Sequence, residues 1–195
     1  MKQSSKLFIV LFLNIFIITA LLFVGNSSNS LGVLATAGDY LVDCSAIILG
    51  LMAIRIKQRK GIDSKATTVV ALINSLTLIV LTAYFIFQAL HRLSGPPPKI
   101  EALPVLIVSS LAAVVMLIGA FIIGSDGGDL HMRSVLIDTV ADAMSAAALA
   151  ISGAIILIYK KFYWVDSALA LIIGIFIAYQ ATKLLREVIQ ELRRE

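Results

Sequence analysis

Charge is scarce in this sequence. Of its 195 residues only 14% are Asp, Glu, Lys or Arg, while 59% are hydrophobic, and the mean hydropathy is +0.98. A water-soluble domain carries about a quarter of its residues as charges, so too little polar surface exists here to coat a globule, and the solvent must be lipid. Cysteine is almost missing as well: Cys44 stands alone, which excludes an internal disulfide and any cysteine-built metal cluster. Strand-length segments of strict apolar–polar alternation are absent, which excludes a β-barrel.

What is present is a series of long apolar runs at residues 7–25, 31–54, 66–90, 102–124, 134–158 and 165–182. Each has close to the ~20 residues that a helix needs to cross a bilayer. The fold class expected is therefore an all-α membrane protein of six transmembrane helices, a single transmembrane domain over residues 1–195, placed as a multi-pass protein in the cell membrane. The first run follows Lys2 and Lys6 and resembles a signal sequence in that respect, but it is longer than a usual signal core. No small-x-small cleavage pattern occurs in "GNSSNS", so it reads as a retained helix.

The sixteen basic residues fix the orientation. With the N-terminus inside, Lys2, Lys6, Arg55, Lys57, Arg59, Lys60, Lys65, Arg133, Lys183, Arg186, Arg193 and Arg194 fall on the inner side, against Arg92, Lys99, Lys160 and Lys161 outside. That asymmetry places both termini in the cytoplasm. It also explains the net charge of +4 as a topological signal and leaves no call for nucleic acid as a partner. The connections are short: the outer loop "HRLSGPPPKIE" is stiffened by three prolines, "GSDGGDLHMR" is a Gly-rich inner turn, and "KLLREVIQELRRE" is an amphipathic extension after the last span.

Against this background four carboxylates stand out. "GDYLVDCSAIILGLMA" places Asp39 and Asp43 inside span two, and "VLIDTVADAMSAAALA" places Asp138 and Asp142 inside span five. Spacing i, i+4 puts each pair on one helix face. Asp43 lies about 16 Å, and Asp142 about 13 Å, from the inner end of its span. The two spans are antiparallel, so the pairs can meet at overlapping depth. Each motif is followed by Ser-Ala (Ser45-Ala46 and Ser145-Ala146), an echo in the style of the inverted repeats of transporters.

An Asp at a helix centre costs roughly 2.5–3.5 kcal/mol on insertion scales, and like charges one turn apart add repulsion. No Lys or Arg lies deep enough to pair with these groups, so a divalent cation or bound protons must neutralise them. Converging from two helices, the four carboxylates make a four-coordinate site for a transition metal. The alternative is protonated carboxyls acting as hydrogen-bonded glue between helices. Crowded carboxylates titrate as a coupled set, and metal binding needs them deprotonated, so a site that holds either metal or protons and opens to each side in turn is an exchanger. Three further residues, His131, Asp126 and Asp129, could guide metal in from the inner face, although a solvated loop is the simpler reading for them. Cys44 and His91 read as a packing residue and an interfacial residue. Asp166 reads as a first-turn charge of span six.

Together, the six spans and the paired acidic motifs of spans two and five resemble the cation diffusion facilitator family. The most specific stretch is "MRSVLIDTVADAMSAAALAISGAIILIYKKFYWVDSALALIIGIFIAYQATKLLREVIQEL", including the turn "YWVDSALAL". The resemblance implies proton-coupled antiport of divalent metal by a homodimer, with the ion held by Asp39, Asp43, Asp138 and Asp142, and a transporter rather than an enzyme. Family precedent puts Zn2+ first and Cd2+ next, with Mn2+ or Fe2+ as the alternative and Co2+ within range. Many zinc-handling members carry His where this chain has Asp138, and an all-carboxylate set leans toward harder ions. Members usually continue into a cytoplasmic metal-binding domain after span six. A chain ending at Glu195 is expected to lack it and to dimerise through its transmembrane helices, for which span three, with Asn74, Ser75, Thr77 and Thr82, is the candidate surface.

Two rival functions make different demands. An intramembrane aspartyl protease needs Gly-x-Gly-Asp, but "DGGD" has Asp126 in place of the first glycine. A non-transporting structural membrane protein would tolerate replacement of all four aspartates.

Overall fold

The computed structural model describes residues 3–42, 44, 64–124 and 130–194. Its regular structure is helical: α1 Gln3–Ser27, α2 Leu31–Val42, α3 Ser64–Ser94, α4 Ala102–Gly124, α5 Leu130–Tyr159 and α6 Trp164–Arg194. Each of these helices falls on one of the expected spans, and residues 43 and 45–54 of expected span two lie outside the described residues. Four segments have the length and apolarity to cross a membrane, namely Ser75–Ser94, Ala102–Ile122, Thr139–Tyr159 and Trp164–Gln190, while Leu11–Ser27 and Leu31–Val42 are shorter apolar segments.

Two helices run on well past the expected ends of their spans. α3 continues past residue 90 and stops only at Gly95 and the three prolines behind it, which have no amide hydrogen for another helical turn. α6 does not end at residue 182: the amphipathic extension is its unbroken continuation.

The arrangement is organised around α2, which is buried on two opposite sides. Val33, Ala37, Tyr40 and Cys44 recur at i, i+4, i+7 and i+11 and form one side. They pack with Ile17 and Leu21 of α1, Val105, Ala112 and Met116 of α4, and Ala143 and Ala146 of α5. The other side, Leu31, Ala35 and Val42, meets Leu78, Phe85 and Ala89 of α3 and Ala170, Ile173 and Ile177 of α6. Hence α1, α2, α4 and α5 share one core, and the α3–α6 pair leans on α2 through a second. Small residues at these contacts let backbones approach closely, as is usual in membranes. A Cβ on Gly153 would fall 2.8 Å from the Leu106 amide nitrogen, and one on Gly174 would fall 3.0 Å from Ile86.

The outward faces are apolar. Ile137, Met144, Ile151 and Ile158 repeat every seven residues along the exposed side of α5, and Phe121 of α4 is 80% exposed. Such surface would be a liability in water but is the ordinary condition in lipid.

At one end of the bundle, the turn between α1 and α2 ties other elements together. Asn29 takes a left-handed backbone (φ 57°), which Asn tolerates better than most residues. The Glu101 amide donates to Ser28 O at 3.2 Å, and Arg92 from the end of α3 donates to Asn29 O at 2.7 Å.

Candidate functional site where α2 faces α5

Gly32, Thr36 and Asp39 occupy a third side of α2, between its two buried faces, at the i, i+4, i+7 spacing of one helix stripe. Asp142, Ser145 and Leu149 form the corresponding stripe of α5. The two stripes meet at the N-terminal end of α2, where a Cβ on Gly32 would lie 2.3 Å from Leu149 Cδ2. Only a glycine lets that leucine seat there.

That contact sets the depth of the aspartates. Seven residues separate Gly32 from Asp39, and seven separate Asp142 from Leu149. The helices are antiparallel, so both aspartates lie about 10.5 Å along the bundle from the contact, in the same direction, at 1.5 Å per residue. Both are half-buried. Each also points away from lipid: exposed Leu41 and Met144 sit two residues beyond Asp39 and Asp142, on the opposite side of their helices. A direct link at this level comes from Tyr40. Its side chain is fully buried, and its hydroxyl donates to the Asp142 carbonyl oxygen at 3.1 Å.

Other candidates divide by location. Asp138 falls in α5 four residues before Asp142, and His131 in the first turn of that helix. Asp43, Asp126 and Asp129 lie outside the described residues. Among the described residues no three potential ligand side chains cluster. Cys44 is buried in the core shared by α1, α2, α4 and α5, and His91 is exposed and stacks on Phe87. The expectation that span three offers its hydroxyls to a second chain needs correction. Ser75 and Thr82 are buried within this chain, with Ser75 donating to Leu72 O at 2.9 Å. Thr77, although exposed, donates to Ile73 O at 2.9 Å. A hydroxyl on a helix commonly folds back in this way.

The structural work of two residues at this site is not legible from sequence alone. Tyr40 looks like any aromatic in an apolar run, and only its placement opposite α5 gives its hydroxyl a partner. Asp166 is a first-turn charge as expected, but its carboxylate serves another helix: it accepts from the Ser30 hydroxyl, from the Leu31 amide at 2.8 Å and from the Gly32 amide at 3.3 Å. Ser30 ahead of an apolar run is a readable N-cap signal. Its partner, more than a hundred residues away, is not.

Removing the Tyr40 hydroxyl has a defined cost. Tyr40→Phe keeps the ring and loses one buried hydrogen bond, so the unfolding free energy should fall by about 1 kcal/mol. SDS titration in mixed micelles would measure it. A loss above about 3 kcal/mol would exceed what one such bond contributes and would show that the hydroxyl supports more than α5.

Residues 7–193 match the family model described as the cation efflux transmembrane domain. The chain is 31% identical over 190 residues to the "Zinc transporter ZitB" of Pectobacterium atrosepticum, covering 91% of this chain and 59% of that protein. It is 29% identical over 171 residues to the "Cadmium, cobalt and zinc/H(+)-K(+) antiporter" of Bacillus subtilis, covering 82% of this chain and 54% of that one. A similar likeness, 29% over 161 residues, relates it to the "Metal cation efflux system protein CzcD" of Cupriavidus metallidurans, with 78% of this chain and 50% of the relative covered. The chain thus spans little more than half the length of the curated relatives it matches. Paired membrane aspartates in a helical bundle, matched nearly end to end by one family model, place the chain in the cation efflux family through its transmembrane domain.

Proposed function

We propose that this chain moves Zn2+, Cd2+ or Co2+ out of the cytoplasm across the cell membrane in exchange for protons, with Asp39, Asp43, Asp138 and Asp142 holding the ion and both termini on the cytoplasmic side. What supports this reading is the contact of Leu149 with Gly32, from which a count of seven residues along each antiparallel helix brings Asp39 and Asp142 to one depth. In sequence Asp43 and Asp138 stand four residues from Asp39 and Asp142, and the proposal joins all four in one carboxylate site. Carboxylates inside a membrane bundle mark ion and proton pathways, and here a divalent cation would occupy the site in one loading state and protons in the other. Binding of metal requires deprotonated ligands, so the two cargoes exclude one another, and exposing the site to each side in turn converts that exclusion into exchange. The relatives' printed substrates favour zinc, cadmium and cobalt over manganese or iron, and H(+) in the name of the Bacillus relative supports protons as the counter-ion. The reading extends to a homodimer formed through transmembrane helices and to metal entry past His131, Asp126 and Asp129.

The test is metal uptake by proteoliposomes across Zn2+, Cd2+, Co2+, Mn2+ and Fe2+, with an imposed pH gradient. Uptake of the first three ions should accelerate when the lumen is acidic and collapse when an ionophore dissipates the gradient. Uptake that ignores the gradient would remove the coupling, and no uptake of any ion would remove the function.

A further inference from the structure

Asp166 is fully buried at the outer end of an apolar bundle, where an isolated carboxylate is costly. Its oxygens are satisfied by α2. A helix start leaves four amides without intrahelical partners, and here all four are accounted for. The amides of Leu31 and Gly32 donate to Asp166 Oδ2, that of Val33 donates to Ser30 Oγ at 3.2 Å, and that of Ser30 itself donates to Gly25 O at 3.1 Å. Ser30 Oγ in turn donates to Asp166 Oδ1. The first turn of α2 is thus fastened to α6 directly at two amides and through Ser30 at a third. The positive end of a helix favours a carboxylate at that place.

We propose that Asp166 is a positioning residue for the metal site: by fixing the start of α2 it holds Asp39 level with Asp142. This rests on the site reading above. From Gly32 to Asp39 the helix is a rod of about 10.5 Å, so axial movement at the clasp arrives undiminished at Asp39. The stripe between them offers only Gly32 and Thr36, so apart from Leu149 in the Gly32 notch no long side chain on that side resists sliding. A slip of one turn, about 5.4 Å, would take Asp39 past Asp142. α6 is a firm anchor because it packs closely against α3 at Gly174 and Ile86, and Arg92 of α3 grips Asn29 on the same turn.

Co2+ serves as the probe, because its visible spectrum reports ligand geometry as well as occupancy. Purified wild type should bind Co2+ with a site spectrum that disappears in Asp39→Asn. Asp166→Ala removes the clasp and should weaken binding roughly 10–100-fold, as loss of the supports behind metal ligands does, and should alter the spectrum. Asp166→Asn can still accept from both amides while donating to Ser30, so it should stay within about threefold of wild type, the size of one redistributed hydrogen bond. Asp166→Ala with wild-type affinity and spectrum would overturn the proposal. So would Asp166→Asn failing as badly as alanine, since the charge and not the hydrogen bonding would then be what matters. If Asp166→Ala does not yield folded protein, Ser30→Ala decides: an altered spectrum supports positioning, and an unchanged one overturns it. Co2+ binding by wild type that survives Asp39→Asn would instead sink the site reading itself, a result distinct from any Asp166 outcome.

Discussion

Asp142→Asn and Asp39→Asn should each abolish metal transport without unfolding the protein. Loss of supports behind metal ligands weakens affinity 10–100-fold, so loss of a ligand should exceed about 100-fold. The amide keeps the shape of the carboxylate but can neither carry the negative charge nor exchange a proton, and in the proposed exchange both cargoes need that charge. Stability should move the other way. A carboxylate near a helix centre costs roughly 2.5–3.5 kcal/mol on insertion scales, so each variant should be at least as stable as the wild type in chelator. Added Zn2+ then separates them: at a hundred times its dissociation constant it should stabilise the wild type by about 2.7 kcal/mol and leave the variants unmoved. Vesicle uptake and metal-dependent thermal shifts measure the two halves. Protonated carboxyls serving only as glue predict the reverse pattern, with stability falling and no response to metal in any form.

Much of the candidate site is proposed from the sequence because intramembrane charge is so unfavourable that four aspartates at matched spacing advertise themselves. Their faces follow from helical periodicity, and lipid-facing Leu41 and Met144 agree with it. Depth is different. That Asp39 and Asp142 share a level depends on Leu149 entering the space left by Gly32, and a leucine and a glycine in apolar runs carry no mark of having met. The same holds for Asp166. A first-turn acid is locally reasonable for α6, so nothing in residues 164–170 reveals that its partners are Ser30, Leu31 and Gly32. The hydroxyls of α3 mislead in the opposite sense. Ser75, Thr77 and Thr82 read as glue for a second chain, yet two are buried within this one and Thr77 bonds its own helix, because backbone carbonyls are always within a hydroxyl's reach on a helix.

Gly153→Val should separate α4 from α5 and weaken the site at a distance. A Cβ at Gly153 would stand 2.8 Å from the Leu106 nitrogen and 3.0 Å from its Cα, and these are backbone atoms that no rotamer change can move aside. In a helix interior Gly→Ala ordinarily gains up to about 1 kcal/mol in propensity, but overpacking costs typically 1–3 kcal/mol, and against backbone the clash wins. Gly153→Ala should therefore destabilise by about 1 kcal/mol or more, and Gly153→Val by over 3 kcal/mol. Gly124 is the control, because a Cβ there meets Leu136 at an ordinary 3.6 Å, so Gly124→Ala should be neutral within about 0.5 kcal/mol. Asp142 shares α5 with Gly153, eleven residues or about 16.5 Å along the helix, so forcing the outer end of α5 away from α4 tilts the rod that carries it. Gly153→Val should thus lower metal affinity as well as stability, whereas Gly124→Ala should change neither. SDS titration and Co2+ binding on the same preparations would decide, and wild-type stability in Gly153→Val would show that α4 and α5 do not pack backbone to backbone.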